Sequence, residues 1–163
     1  MNKARGLAAL VLMSAAVAAQ AADLPKEGNF DVTACWSGTG FPLAFSKTNN
    51  AFSYENTGSL RSNPPGGMFD NNTFHCVGTI MNLGKTTRWI ALCEGVDKDG
   101  DKRLTFLERT GDGKVRREFI SGTGKFEGMV ETDTKVLPLG PFPTIKPGTF
   151  QNCNRQTGHY KLK

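Results

Sequence analysis

No stretch of twelve consecutive residues carries the i, i+3, i+4 apolar stripe of an amphipathic helix. What recurs instead is short runs rich in Val, Ile, Thr, Phe and Trp, separated by Gly, Asn, Asp and Pro. That pattern specifies many antiparallel strands. It predicts strands near Phe30–Ser37, Leu43–Ser46, Ala51–Arg61, Asn72–Asn82, Thr86–Val96, Arg103–Arg109, Lys114–Ser121, Gly124–Glu131 and Gly158–Lys161. The intervening turns are chemically explicit. Asp99-Gly100 and Asp112-Gly113 are hairpin dipeptides, Asn49-Asn50 tolerates positive φ, and Asn63-Pro64-Pro65-Gly66-Gly67 cannot continue a strand. Val136 to Gly148 contains four prolines and reads as an extended loop or edge segment.

The N-terminus carries a second signal. Lys3 and Arg5 precede an uncharged run from Gly6 to Ala18, and Ala19-Gln20-Ala21 is a small-x-small cleavage site. This is the layout of a secretory signal peptide over residues 1–21, too short to cross a bilayer as a helix. The expectation is a periplasmic or secreted chain, 22–163, forming one domain without stable membrane insertion. Losing Lys3 and Arg5 takes the formal charge from +5 to +3. The only basic run, Lys114 to Arg117, is diluted by Val115, so nucleic acid is not an expected partner.

Four cysteines in an exported chain read as a disulfide framework with three connectivities. Their wide spacing excludes zinc ribbons and Cys-x-x-Cys redox centres. Cys76 and Cys93 lie on runs that read as neighbouring strands, and Cys35 and Cys153 lie near the first and last strands. In a closed barrel those terminal strands meet, so the preferred pairing is Cys35–Cys153 with Cys76–Cys93. Leu104, Phe106 and Glu108 alternate with Arg103, Thr105, Leu107 and Arg109, and Trp89, Ala91, Cys93 and Gly95 alternate with Ile90, Leu92, Glu94 and Val96. Strands with apolar residues on both faces favour a closed or nearly closed antiparallel barrel of about eight strands over the alternative, a β-sandwich.

Several segments also carry a resemblance. They are Cys35-Trp36-Ser37-Gly38, Thr57-Gly58, Arg61-Ser62-Asn63, Gly66-Gly67, Phe69-Asp70-Asn71-Asn72-Thr73, Cys76-Val77-Gly78, Val96 to Lys102, and Phe119 to Gly128. Together they resemble a group of small exported proteobacterial proteins of no established function. The Gly122-Thr123-Gly124-Lys125-Phe126-Glu127-Gly128 segment looks like a strand pair of allene-oxide-cyclase-type β-barrels. The resemblance implies a calycin-like barrel. It does not imply cyclase activity, since none of that family's active-site residues matches a position here, and fold alone never licenses a reaction.

Candidate sites follow from residue type and spacing. Asp97, Asp99 and Asp101 occupy positions one, three and five of an EF-hand-like run ending at Glu108, which would make them Ca²⁺ ligands. Lys102 replaces the required glycine and the flanks read as strands, so the alternative is a charged hairpin turn about Asp99-Gly100. No other cofactor is expected. Gly122-Thr123-Gly124-Lys125 lacks Walker spacing and reads as a tight turn or bulge. His75 and His159 are the only histidines and no Gly-x-Ser-x-Gly occurs, which argues against a hydrolase. Glu94, with Arg61 or Arg88, would form a charged pair inside a barrel. The set Trp36, Phe45, Phe52, Tyr54, Phe74, Trp89 and Phe106 would line a core or an apolar cup. The segment Arg61 to Thr73 would act as a lid at the barrel mouth.

These features lead to a non-catalytic barrel binding a small apolar or amphipathic molecule, or an envelope protein, with Arg61, Asp70, Trp89 and Glu94 as ligand contacts. The alternatives are a cyclase or isomerase using Glu94 as its acid–base group, and a protein-interaction module.

Overall fold

The structure is a computed structural model that describes residues 25–109, 111–140 and 142–163. The expected signal peptide lies outside the described residues. Eight strands follow in order: β1 Glu27–Ala44, β2 Asn49–Ser62, β3 Thr73–Leu83, β4 Thr86–Val96, β5 Lys102–Arg109, β6 Val115–Gly122, β7 Val130–Pro138 and β8 Thr149–Lys161. All pairings are antiparallel, and the sheet order is β6-β5-β4-β3-β2-β1-β8-β7. This is one sheet curled until its edges approach, so the barrel reading holds and the sandwich does not.

The first and last strands pair as the cysteine argument required. Cys35 sits directly across from Cys153 on β1 and β8, and Cys76 across from Cys93 on β3 and β4. Both pairs are disulfide-bonded. In the chain-entropy view a short closed loop contributes about 3 kcal/mol and one of a hundred residues closer to 5. The Cys35–Cys153 bridge, with a separation of 118 residues, is therefore the stronger constraint on the unfolded chain. Two disulfides fit an oxidising, extracytoplasmic compartment. Among the described residues no helix is long and apolar enough to cross a membrane.

Three sequence expectations need correction. The run Leu43–Ser46 is not a separate strand, because β1 continues to Ala44. The last strand starts at Thr149, well before Gly158. Between β6 and β7, Gly124–Phe126 forms a single 3₁₀ turn where a strand was expected. Gly124 has φ +53°, and a Cβ there would lie within 1.8 Å of an Asp101 carboxylate oxygen, so both conformation and space demand glycine. Strand β7 runs on to Pro138, which an edge strand tolerates because its outer N–H has no ladder partner to serve.

Inward glycines receive aromatic rings from neighbouring strands. A Cβ on Gly58 would come within 2.3 Å of the Cys35 carbonyl oxygen and 2.5 Å of the Phe74 ring. On Gly78 it would meet the Tyr54 ring at 2.6 Å. Such pairs let strands bend while rings cover the exposed backbone.

The core is concentrated at one end. Phe30, Val32, Ala34, Leu60, Met68, Phe69, Phe126, Met129 and Tyr160 form one buried cluster. Met68 and Phe69 come from the segment between β2 and β3, which plugs this end instead of covering the mouth. Phe69 takes φ +67°, costing roughly 1–2 kcal/mol. Its ring packs edge-on to Phe30 at 5.2 Å and stacked on Phe126 at 6.0 Å, and burial of a Phe side chain offsets that cost by roughly 1.5–3 kcal/mol. The opposite end is open.

The edges β6 and β7 are not joined by a hydrogen-bond ladder. Arg117 on β6 bridges them. Its Nε lies 2.7 Å from Glu131 Oε2 on β7, its Nη2 donates to Glu131 Oε1 at 3.0 Å, and its Nη1 donates to Gln156 on β8. The two charged side chains are 8% and 3% exposed. Removing one partner strands a buried charge. Glu131→Gln is expected to destabilise the fold by about 3 kcal/mol or more in urea titration, and the Arg117→Met/Glu131→Leu pair to cost less than the single change.

Candidate functional site

Strand alternation aims a defined set of side chains at the barrel axis. On β4 these are Thr87, Trp89, Ala91, Cys93 and Gly95, and register carries the face to Arg103, Thr105, Leu107 and Arg109 on β5. The inward residues enclose a cavity of about 490 Å³. Its upper wall is aromatic. Phe150 packs edge-on to Phe52 at 5.9 Å and to Tyr54 at 5.6 Å, and Trp89 Nε1 donates to the Tyr54 hydroxyl at 2.5 Å. Its lower part is polar, with Asn56, Arg103, Thr105, Arg117 and Gln156. Around the open end Phe41, Leu43 and Phe45 are 81%, 65% and 85% exposed on the projecting β1–β2 hairpin.

Arg103 dominates the floor. It is 5% exposed, its guanidinium carbon lies 4.4 Å from the Phe69 ring centroid, and with the Asn72 amide assigned in the orientation that satisfies both its neighbours, Nη1 donates to the Asn72 oxygen at 2.7 Å. Asn72 in that orientation donates to the Asp70 carbonyl. Burial, and then the like charge of Arg117, lower Arg103 to about 9, while Glu131 and Asp97 oppose the shift. It therefore remains cationic at neutral pH.

The sequence-predicted residues separate into two groups. Trp89 lines the cavity, as do Trp36, Phe52, Tyr54 and Phe74. Phe45 is exposed and Phe106 lies on the outer face of β5, so neither belongs to the cup. Glu94 is on the outer face of β4. It accepts from Lys102 Nζ at 2.7 Å, a contact that holds its carboxyl below the usual range, and it pairs with neither Arg61 nor Arg88. The cyclase or isomerase reading needed Glu94 inside and loses its acid–base group. Arg61 is exposed on the outer face of β2.

Asp70 sits at the plugged end, away from the mouth. Its carboxylate accepts from the Ser62 N–H at 2.9 Å and the Gly66 N–H at 2.8 Å, tying the plug segment together. The three aspartates of the EF-hand-like run converge on Lys125. Its ammonium pairs with Asp97 and, at 3.1 Å, with Asp99, and its backbone N–H donates to Asp101 Oδ2 at 3.1 Å. Burial alone would lower Lys125, but Asp97 and Asp99 outweigh it and raise it. Asp97 also accepts the N–H groups of Asp99 and Asp101, and Glu108 pairs with Arg116 instead of returning to the loop. Among the described residues no group of three His, Cys, Asp or Glu side chains is placed to hold a metal ion. His75 is on the outer surface, 2.8 Å from Glu55.

Asn56, Arg103, Thr105, Arg117 and Gln156 were not singled out from sequence. A signal existed: the cysteines of β3 and β4 must face each other, and β4's inner face fixes that of β5 by register. No protein-family profile, curated protein or solved structure matches the chain.

Asp70 yields a signed pH prediction. Burial pushes its carboxyl up, but hydrogen bonds from Gly66, Ser62 and Asn71 outweigh it and hold it below 3.8. A depressed carboxyl contributes stability that is full above the unfolded value and lost as pH falls through the folded one. Asp70→Asn should lower the urea midpoint at pH 7, and the gap from wild type should close as pH drops below 3.8.

Proposed function

We propose that the protein is an exported, non-catalytic barrel that carries a small amphipathic molecule in its interior. The observation that carries this reading is the asymmetry of the inside. One end is sealed by the Phe30, Met68, Phe69, Phe126 and Met129 cluster, whereas the rest encloses about 490 Å³ behind an aromatic wall. A volume of 300–1,000 Å³, mostly apolar with a few convergent polar groups, is the usual character of small-molecule sites. The candidate acid–base group, Glu94, lies outside the cavity, and neither histidine lines it.

Filling the space tests the reading. Ala91 is 3% exposed on the inner face of β4. A thermal-shift screen of lipids and aromatic metabolites should yield compounds that raise the wild-type midpoint. Ala91→Phe should abolish those shifts while the apo midpoint stays within a few degrees of wild type. If no compound shifts the wild type, or Ala91→Phe responds as well as wild type, the interior is not the site.

A further inference from the structure

The charges around the cavity floor do not cancel. Arg117 takes Glu131, and Asp97 takes Lys125. These are the two carboxylates whose fields reach Arg103, and both already have partners. Among the described residues Arg103 is left with one hydrogen bond, to Asn72, and the faces of Phe69 and Phe126. A guanidinium has five N–H donors, and a buried cation ordinarily has an anion beside it. Next to it on the inner face of β5, Thr105 is 4% exposed and its hydroxyl has no hydrogen-bond partner among the described residues. Asn56, 6% exposed on β2, likewise has an unpartnered side-chain oxygen. All three residues line the cavity.

We propose that the cavity is built for a small organic monoanion, with its carboxylate or sulfonate on Arg103 and Thr105 and its apolar body among Trp36, Tyr54 and Trp89. This deepens the ligand-carrier reading and rests on it. The geometry selects the head group. Arg103 and Thr105 stand two residues apart on one strand face and both line the cavity, which puts a planar fork of N–H groups and one O–H within the span of a single head group. The charge count selects its valence. Arg109 also faces inward but is exposed to solvent, so Arg103 is the one buried cation of the lining without a carboxylate of its own among the described residues; it neutralises one negative charge, and a phosphate dianion would leave a buried excess. The Asn56 amide turns either its oxygen or its NH₂ toward a polar group on the ligand body. The rings above favour a flat or flexible apolar body over a polar one.

The experiment compares paired probes that differ only at the head: 2-naphthoate against 2-naphthamide, and decanoate against decan-1-ol, titrated calorimetrically into the mature, disulfide-bonded protein. In wild type each anion should bind about tenfold or more tightly than its neutral partner, as expected for a charge-assisted hydrogen bond in a dry site. Thr105→Val, which keeps shape and removes the hydroxyl, should weaken the anions several-fold and leave the neutral probes unchanged. Arg103→Met should erase the preference, and Arg103→Lys should keep part of it. Should Arg103→Met fail to fold, the wild-type comparison and Thr105→Val still decide the matter. Equal binding of anion and neutral partner overturns the monoanion assignment while leaving the carrier reading intact. Failure of all four probes to bind overturns both.

Discussion

A curled sheet has two edges, and everything inside this barrel depends on how they are held. The edges β6 and β7 share no ladder, so Arg117 spans the gap with an ion pair and a hydrogen bond to Glu131 and a hydrogen bond to Gln156. A buried ion pair is seldom a large net source of stability, since desolvation offsets its attraction. Its value here is geometric. A buried guanidinium–carboxylate contact fixes a spacing and an orientation between two strands that share no ladder. It also exhausts Glu131, and that leaves Arg103 as the buried cation of the lining without a carboxylate of its own.

Closure and hollowness come from the same sequence economy. Inward glycines on β1, β2 and β3 leave room for Phe52, Tyr54, Phe74 and Phe150, so rings lie against the wall instead of meeting at the axis. At the sealed end Phe30, Leu60 and Tyr160 from the strands are joined by Met68 and Phe69 of the β2–β3 segment and Phe126 and Met129 of the turn before β7. The glycines and aspartates of those segments are accounted for by this packing. Gly124 makes room for Asp101, Lys125 gathers Asp97 and Asp99, and Asp70 ties the plug. The disulfides divide the work similarly. Cys76–Cys93 faces the cavity, and Cys35–Cys153 lies on the outer face joining the chain's two terminal strands.

Much of the architecture was readable from residues alone. Turn dipeptides and β-rich runs located most strands, Thr86–Val96 among them to the residue, and the cysteines specified which strands pair. What escaped at the cavity floor has one cause: alternation says that two faces exist, not which is inner. On β4 the apolar Ile90 and Leu92 turn outward with Glu94, and on β5 Arg103 and Thr105 turn inward, both against the usual rule. The plug escaped because local composition marks a polar Asn- and Gly-rich loop, while Met68 and Phe69 are buried by a tertiary contact with Phe126, far along the chain. The aspartate run matched a metal motif in spacing, yet its charge is met by a lysine that strand register brings from β6's end.

The central claim is an interior that is hollow, reachable from one end and positive at its floor. The chain has two tryptophans, Trp36 and Trp89, and both line the cavity, so selectively excited tryptophan emission reports on its lining. Quenching by acrylamide, iodide and caesium tests the claim most directly. An open cationic cavity predicts efficient quenching of the folded protein by acrylamide and stronger quenching by iodide than by caesium. Emission that is blue-shifted and indifferent to all three quenchers would mean a filled, sealed core and would contradict the account.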